Sequence, residues 1–435
     1  MTTKSSAPSR ARALVFTSLG HFMNDGMVFF VPVVADILAK NHAISATVIT
    51  AMLTVFYVAS AGFGMVVGLV ADSLGKRGLM IALGIFTLSI GLLGFYFSLI
   101  APSGLGSDAL AVVAALIAGV GSSFYHPLGG SVLQLTFTDE SRGRALGVNG
   151  AFGSLGRALY PSLFFIVAAL AISKANTVVI FAALGVVAAI VIASGLGGSV
   201  QVVSRRSSQA IDQSEQSSEH TASTTEKTTE KTIEKRSIRS MLTKSVVALM
   251  IIAFFRSMAF IGIVSWIPIY LTTQKHLGVT SQLGYTVTIM FVGGIFGQPF
   301  FGQLADRFDK RLVLAIDSFG SALTVFTYIF FSGAGAIVSL LFFGFFTFSG
   351  FPLLLSLVAD YVPKDASTTG NALVWGLGST GGQAVGPLVV GLLIFGSYTH
   401  LAFAFEVLAA IAALTVLGTP FMTKTARRTK MPVFG

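Results

Sequence analysis

Three polar side chains, His21, Asn24 and Asp25, lie inside the apolar stretch that runs from Ala13 to Ala39 of a 435-residue chain. His21 and Asp25 are four residues apart, so a helix stacks them on one face with Asn24 beside them. Counted from Ala13 at 1.5 Å per residue, they lie roughly 12 and 18 Å along that helix. An ionised carboxylate at such a depth in hydrocarbon costs at least ~2.5–3.5 kcal/mol, so the face must line a cavity or meet a partner. An imidazole beside a carboxyl can share or relay its proton. That is the chemistry of a group protonated when it faces one side and deprotonated when it faces the other. The competing reading is a hydrogen-bonded polar patch that fixes helix packing.

His126 precedes Pro127 in a second apolar stretch. The proline frees a backbone carbonyl and bends the helix, so His126 either steadies that kink or joins His21 and Asp25 in proton coupling. Arg157 and Arg256 stand midway along two further apolar stretches. A guanidinium cannot shed its charge, and each must therefore face a carboxylate, an anionic substrate or water. A pair between Arg157 and Asp25 that breaks on protonation would couple proton to substrate. Asp36 and Asp317 lie near expected helix ends and are read as solvated, and Glu406 as a packing or lipid-edge residue.

The elements that must position these residues follow from composition. Apolar residues make up 54% of the chain and charged residues 11%, against roughly 45–50% and about 25% in soluble domains. Mean hydropathy is +0.82. Apolar runs long enough to cross a ~30 Å hydrocarbon core recur at about 13–39, 47–71, 78–100, 109–136, 145–171, 177–200, 244–272, 280–304, 311–331, 334–359, 368–395 and 398–420. Twelve transmembrane helices in two six-helix bundles, 13–200 and 244–420, are expected. Between them, 201–243 is rich in Ser, Thr, Glu and Lys and reads as a disordered cytoplasmic linker. Residues 1–12 and 421–435 form tails.

Charge sets the orientation. Lys40, Lys174 and Lys275 alone fall on one side and Arg157 and Arg256 lie inside helices, so the other 23 of the 28 Lys and Arg share the side of the termini. Such a bias places both termini in the cytoplasm of a cell-membrane protein. The net charge of +10 is thereby accounted for, and nucleic acid is excluded as a partner. No Cys occurs, which removes disulfides and thiolate chemistry. No nucleophile elbow, nucleotide fold or His and Cys metal cluster is present either, so an enzyme, a metal and a cofactor are not expected.

The stretch GLVADSLGKR at 68–77 returns as GQLADRFDKR at 302–311, an offset of 234, at the end of the second helix of each half. VPVV at 31 pairs likewise with IPIY at 267, and Arg157–Pro161 with Gln383–Pro387. Parallel repeats of this kind build secondary carriers. The whole chain resembles the major facilitator superfamily, whose loop signature the decapeptide is. That resemblance implies an all-α membrane fold and a cytoplasmic gate made by Gly68, Asp72, Gly75, Lys76 and Arg77 in one half and Gly302, Asp306, Arg307, Lys310 and Arg311 in the other. Asp72 and Asp306 would pair cations and helix ends across the closed side, and Gly68 and Gly302 would let helices approach. Ser73 and Asp309 depart from the signature. GHFMNDG on the first helix and SSFYHPLGG on the fourth are similar to the fosmidomycin-resistance branch, with Leu128 and Gly129 departing from it.

The function expected is proton-coupled export of a small drug-like or anionic compound by alternating access, with proton-coupled uptake of an organic anion, or a non-transporting sensor, as alternatives. Asp25, His21 and His126 would couple protons; Asn24, Tyr125, Arg157, Arg256 and Gln383 would contact substrate. The partners implied are a small molecule, protons and the lipid bilayer, with the monomer as functional unit. Topology is open to direct test: cysteines placed at Ser207 and Ser397 should react with an impermeant maleimide only from the cytoplasm and only from outside, respectively, and the reverse pattern would overturn the orientation.

Overall fold

The computed structural model describes residues 9–41, 44–170, 173–196, 242–362, 370 and 372–425. The expected linker at 201–243 therefore lies almost wholly outside the described residues, as does most of the C-terminal tail. The architecture is all-α. The first half contains α1 (Arg10–Asn41), α2 (Ala46–Leu74), α3 (Arg77–Ile100), α4 (Leu105–Ser122), α5 (Tyr125–Thr136), α6 (Asp139–Ala169) and α7 (Lys174–Leu196). The second half contains α8 (Lys244–Thr273), α9 (Ser281–Arg307), α10 (Lys310–Phe330), α11 (Gly333–Thr347), α12 (Gly350–Tyr361), a π-helical stretch (Ala372–Thr380), α13 (Gly381–Leu393) and α14 (Leu401–Leu414). Among the described residues, eleven spans are long and apolar enough to cross a membrane. The remaining expected span, 368–395, is represented by the π-helical stretch and α13.

Helix ends follow side-chain chemistry. The Ser45 and Thr243 hydroxyls accept from Val48 N and Val246 N and cap α2 and α8, while Asp309 accepts from Arg311 N and caps α10, each supplying an orphan amide with an acceptor. Gly75 ends α2 at φ 64°, the left-handed position that favours glycine. Two spans are broken internally. Pro127 and Pro352 have no amide to bond the carbonyl four residues back, and the chain breaks at Ser123–Phe124 between α4 and α5 and at Phe348–Ser349 between α11 and α12. The first break is the kink expected at Pro127; the second divides a run read as one helix.

Both halves begin and end on one face, here the terminal face. Arg12 Nη2 donates to Ser194 O at 2.9 Å near the end of α7, and Thr423 N donates to Ser245 Oγ at 3.0 Å near the start of α8. The halves meet through α1 with α8, α2 with α13, and α6 with α9. Hydrogen bonds joining them gather toward the opposite face: Thr272 Oγ1 donates to Asp36, Tyr398 Oη to Ile44 O at 2.9 Å, and Ser162 Oγ lies 2.7 Å from Thr288 Oγ1. Toward the terminal face, α5 and α12 pack substantially only on helices of their own half. The bundle is closed on one side and parted on the other.

One expectation is corrected here. Asp36 and Asp317, read as solvated, are both 0% exposed. Asp36 faces α8 across the seal between halves, and Asp317 lies more than a turn inside α10, against α8. Gly68 and Gly302, expected to let helices approach when the terminal face is shut, stand here with open space around them, since a Cβ at either would meet nothing within 4 Å. Close approach is made elsewhere, as where a Cβ at Gly344 of α11 would overlap the Met290 carbonyl of α9.

Candidate functional site

The site grows from the match of two helical repeats. On α1, His21 and Asp25 project from one face; on α6, Asn149, Gly153 and Arg157 recur every four residues and meet them. Gly153 leaves the room in which the His21 ring sits, since a Cβ there would overlap it. Arg157 Nη1 then reaches Asp25 Oδ2 at 2.8 Å, and its Nη2 donates to Ser154 Oγ at 2.8 Å. Asn24 Nδ2 donates to Asp25 Oδ1 at 3.1 Å. The break before α5 presents His126, whose Nε2 lies 3.4 Å from Asp25 Oδ1, while His21 Nε2 lies 3.4 Å from Oδ2.

The tautomer of His21 follows from its other nitrogen. Nδ1 faces two oxygens of Asn149, the backbone O at 2.9 Å and Oδ1 at 3.0 Å. Asn149 Nδ2 in turn donates to Tyr125 Oη at 2.9 Å, and that hydroxyl donates to Thr17 O at 2.8 Å. Both neighbours of Nδ1 are acceptors, so Nδ1 carries the proton. A neutral His21 thus aims a bare Nε2 at the Asp25 carboxylate, and the gap between them calls for a cation. Tyr125 stacks on the His21 ring, centroids 4.7 Å apart, which completes its support.

Asp25 is 1% exposed, whereas the His126 side chain is 58% exposed. His126 is thus the open member of the cluster. His21, Asp25 and His126 also present ligating atoms within 4.8 Å of one another, the spacing of a metal site that the sequence reading did not find. Arg157 already neutralises the one carboxylate, so a divalent ion would enter a cluster with no net negative charge. A proton is the cation that suits the gap.

Above Arg157 stand two aromatic rings. Its guanidinium carbon is 5.6 Å from the Phe29 centroid and 5.2 Å from that of Phe348, within cation–π range. Phe348 belongs to the other half and is the second half's contribution to the site.

The remaining expected residues lie elsewhere. Arg256 is 5% exposed and pairs with Asp317 inside the second half, Nη2 to Oδ2 at 2.5 Å. Gln383 donates to Ser379 Oγ at 3.2 Å on α13. Tyr125 and Asn24 are buried within the first half. In the gate motif, Lys76, Asp306 and Arg307 are exposed, and Arg77 and Gly75 half-buried, on the parted terminal face; the Asp72 side chain lies outside the described residues. Lys310 Nζ pairs with Asp360 at 2.6 Å and Arg311 with Asp309 at 2.7 Å. The hydrogen bond from Arg311 holds the Asp309 carboxyl below the ordinary carboxylate value. Asn149, Ser154, Phe29 and Phe348 were not singled out in the sequence. The repeat of Asn149, Gly153 and Arg157 was a readable signal for the first.

The chain matches the Major Facilitator Superfamily over residues 14–387. The chain belongs to that superfamily. It is a multi-pass membrane protein with the fold of that superfamily, whose members are transporters rather than enzymes. The chain is 23% identical over 384 residues to the uncharacterized MFS-type transporter YfnC of Bacillus subtilis, covering 86% of each. It is 31% identical over 134 residues to an uncharacterized protein of Archaeoglobus fulgidus and 32% over 144 residues to the glucose-6-phosphate exchanger SLC37A1 of Mus musculus. Those matches span 61% and 26% of the relatives' own lengths. Among solved structures, a D-xylose-proton symporter aligns with TM-score 0.71 at 16% identity, covering 97% of this chain and 99% of that one. An inward-facing, unoccupied bacterial homologue of the human lysosomal transporter Spinster aligns with TM-score 0.65 at 14% identity, covering 95% of each. At these identities the likeness is one of fold.

Two glycine substitutions on α6 test the fit of α1 against it. Gly153→Ala should drive the His21 ring off its seat, cost about 1–3 kcal/mol of stability and lower coupled transport. Gly150→Ala, where a Cβ meets nothing within 4 Å, should keep transport and gain up to about 1 kcal/mol of helix propensity. Equal thermal midpoints and equal transport would mean that His21 is not held there.

Proposed function

We propose that this transporter carries a small organic anion with an apolar body and couples it to protons at Asp25, with His21 and His126 as relay. The observation that supports this reading most is the single carboxylate shared by three basic side chains. When Asp25 takes a proton, Arg157 loses its counter-ion yet keeps its charge, and a negative group from the vestibule can take the vacated place. Phe29 and Phe348 offer apolar surface beside it. Proton and anion then favour each other's binding, and by linkage the preference is reciprocal. Cargo and proton cross together, and a gradient acid outside drives uptake. The charge bias of the loops supports cytoplasmic termini in the cell membrane, which makes the parted face the inner one.

A second reading, export in exchange for protons, is favoured by the likeness of His21–Asp25 and Phe124–Pro127 to the fosmidomycin-resistance branch. It demands the opposite linkage, with proton and substrate competing for the cluster. Reconstituted vesicles separate the two. Labelled benzoate, phenylphosphonate and fosmidomycin serve as probes under an imposed pH gradient. Uptake driven by acid outside is expected, with Asp25→Asn abolishing accumulation while probe exchange persists. Flux driven only against the proton gradient would support export, and undiminished accumulation in Asp25→Asn would return the cluster to a packing role.

A further inference from the structure

The second half also holds a buried ion pair with no part in the site above, and it is joined to that site through one side chain. The break between α11 and α12 interrupts the helical ladder, and Phe346 O there accepts from Ser349 N at 3.2 Å. Arg256 of α8 adds a side-chain donor to the same end: Nη2 donates to Thr347 O at 2.9 Å and to Phe346 O at 3.4 Å, besides Asp317. A cation is favoured at a helix C-terminus. Gly350 makes the approach possible, because a Cβ there would overlap the guanidinium. The residue next along the chain from those carbonyls is Phe348. Its ring packs on Phe260, Phe291 and Phe29, centroids 5.0, 5.3 and 6.2 Å away, and faces Arg157 across the boundary between halves.

A continuous path therefore runs from Asp25 through Arg157 and Phe348 to the break in the second half, and on to Arg256 and Asp317. The break in the first half aims His126 at Asp25, and the break in the second aims Phe348 at Arg157.

We infer that Phe348 is a coupling residue that reports the ionic state of the Asp25–Arg157 pair to the second half, and that Arg256 and Asp317 are positioning residues that hold it there. This rests on proton coupling at Asp25. When that pair parts, the guanidinium shifts relative to the Phe348 ring, and the contact between halves weakens at the point about which they rock. An aromatic that merely filled space would not need its π face, and an ion pair that merely stabilised the second half would not act through Phe348.

The test uses the full, Cys-free chain in lipid vesicles, with spin labels on cysteines at Thr138 and Ala359 at the terminal-face ends of the two broken spans. Their distance distribution gives the ratio of open to closed terminal face. Acidification should shift this ratio in the wild type. Phe348→Leu, and ring-fluorinated phenylalanine at 348, should each cut the shift by about 5- to 30-fold, the size of a desolvated cation–π contact. Asp317→Asn should cut it as far, and combining it with Phe348→Leu should cut it no further, because both act on one contact. If Asp317→Asn does not fold, Arg256→Gln with Asp317→Asn removes both charges and takes its place. A wild-type shift in the fluorinated or leucine variant would overturn the sensing role of Phe348. Additive effects of Asp317→Asn and Phe348→Leu would overturn the positioning role of the pair. A wild type that ignores acid would remove proton coupling itself, and this inference with it.

Discussion

A guanidinium keeps its charge at any pH a cell meets, and Arg157 keeps it in the middle of an apolar bundle. Everything at the site answers to that one constraint. Asp25 supplies the counter-charge, Ser154 a further acceptor, and Phe29 and Phe348 the faces of two rings. Asp25 is the one partner among these that a proton can neutralise, so under the proposed coupling the state of one carboxyl would decide whether Arg157 is satisfied from within the protein or by an anion. Losing one partner of a buried pair leaves an uncompensated charge worth about 3–5 kcal/mol, which under that coupling would favour an anion.

The fold gives that local event a reach. The halves are sealed by α1 with α8, α2 with α13 and α6 with α9, with hydrogen bonds toward the opposite face, and part toward the terminal face. The site lies between the halves, with Asp25 and Arg157 from the first and Phe348 from the second. Both spans break at this level, because a proline in each removes one helical hydrogen bond and lets the backbone turn a side chain inward. Asp306 and Arg307 of the repeated loop are exposed on that parted face.

Much of this was legible in the residues themselves. Twelve apolar runs, a repeated decapeptide and the stacking of His21 on Asp25 needed only helical periodicity and hydropathy. Arg256 was legible as a charge needing a partner. That its partner is Asp317 was not, because pairing between α8 and α10 depends on how two helices cross and not on spacing within either. Phe348 was hidden for another reason: in FFGFFTFSGF at 342–351 nothing distinguishes one phenylalanine from the next, and only Pro352 hinted that the helix breaks beside it.

The central claim is that a proton on Asp25 and an anion on Arg157 bind together, and its most direct measure is the proton balance of binding. Benzoate or phenylphosphonate is titrated into purified protein in weakly buffered solution with a pH indicator. Proton uptake on binding is expected for the wild type and none for Asp25→Asn, with an affinity that tightens on acidification by about 5–150-fold in the wild type alone. Proton release on binding, or wild-type uptake retained in Asp25→Asn, would contradict it.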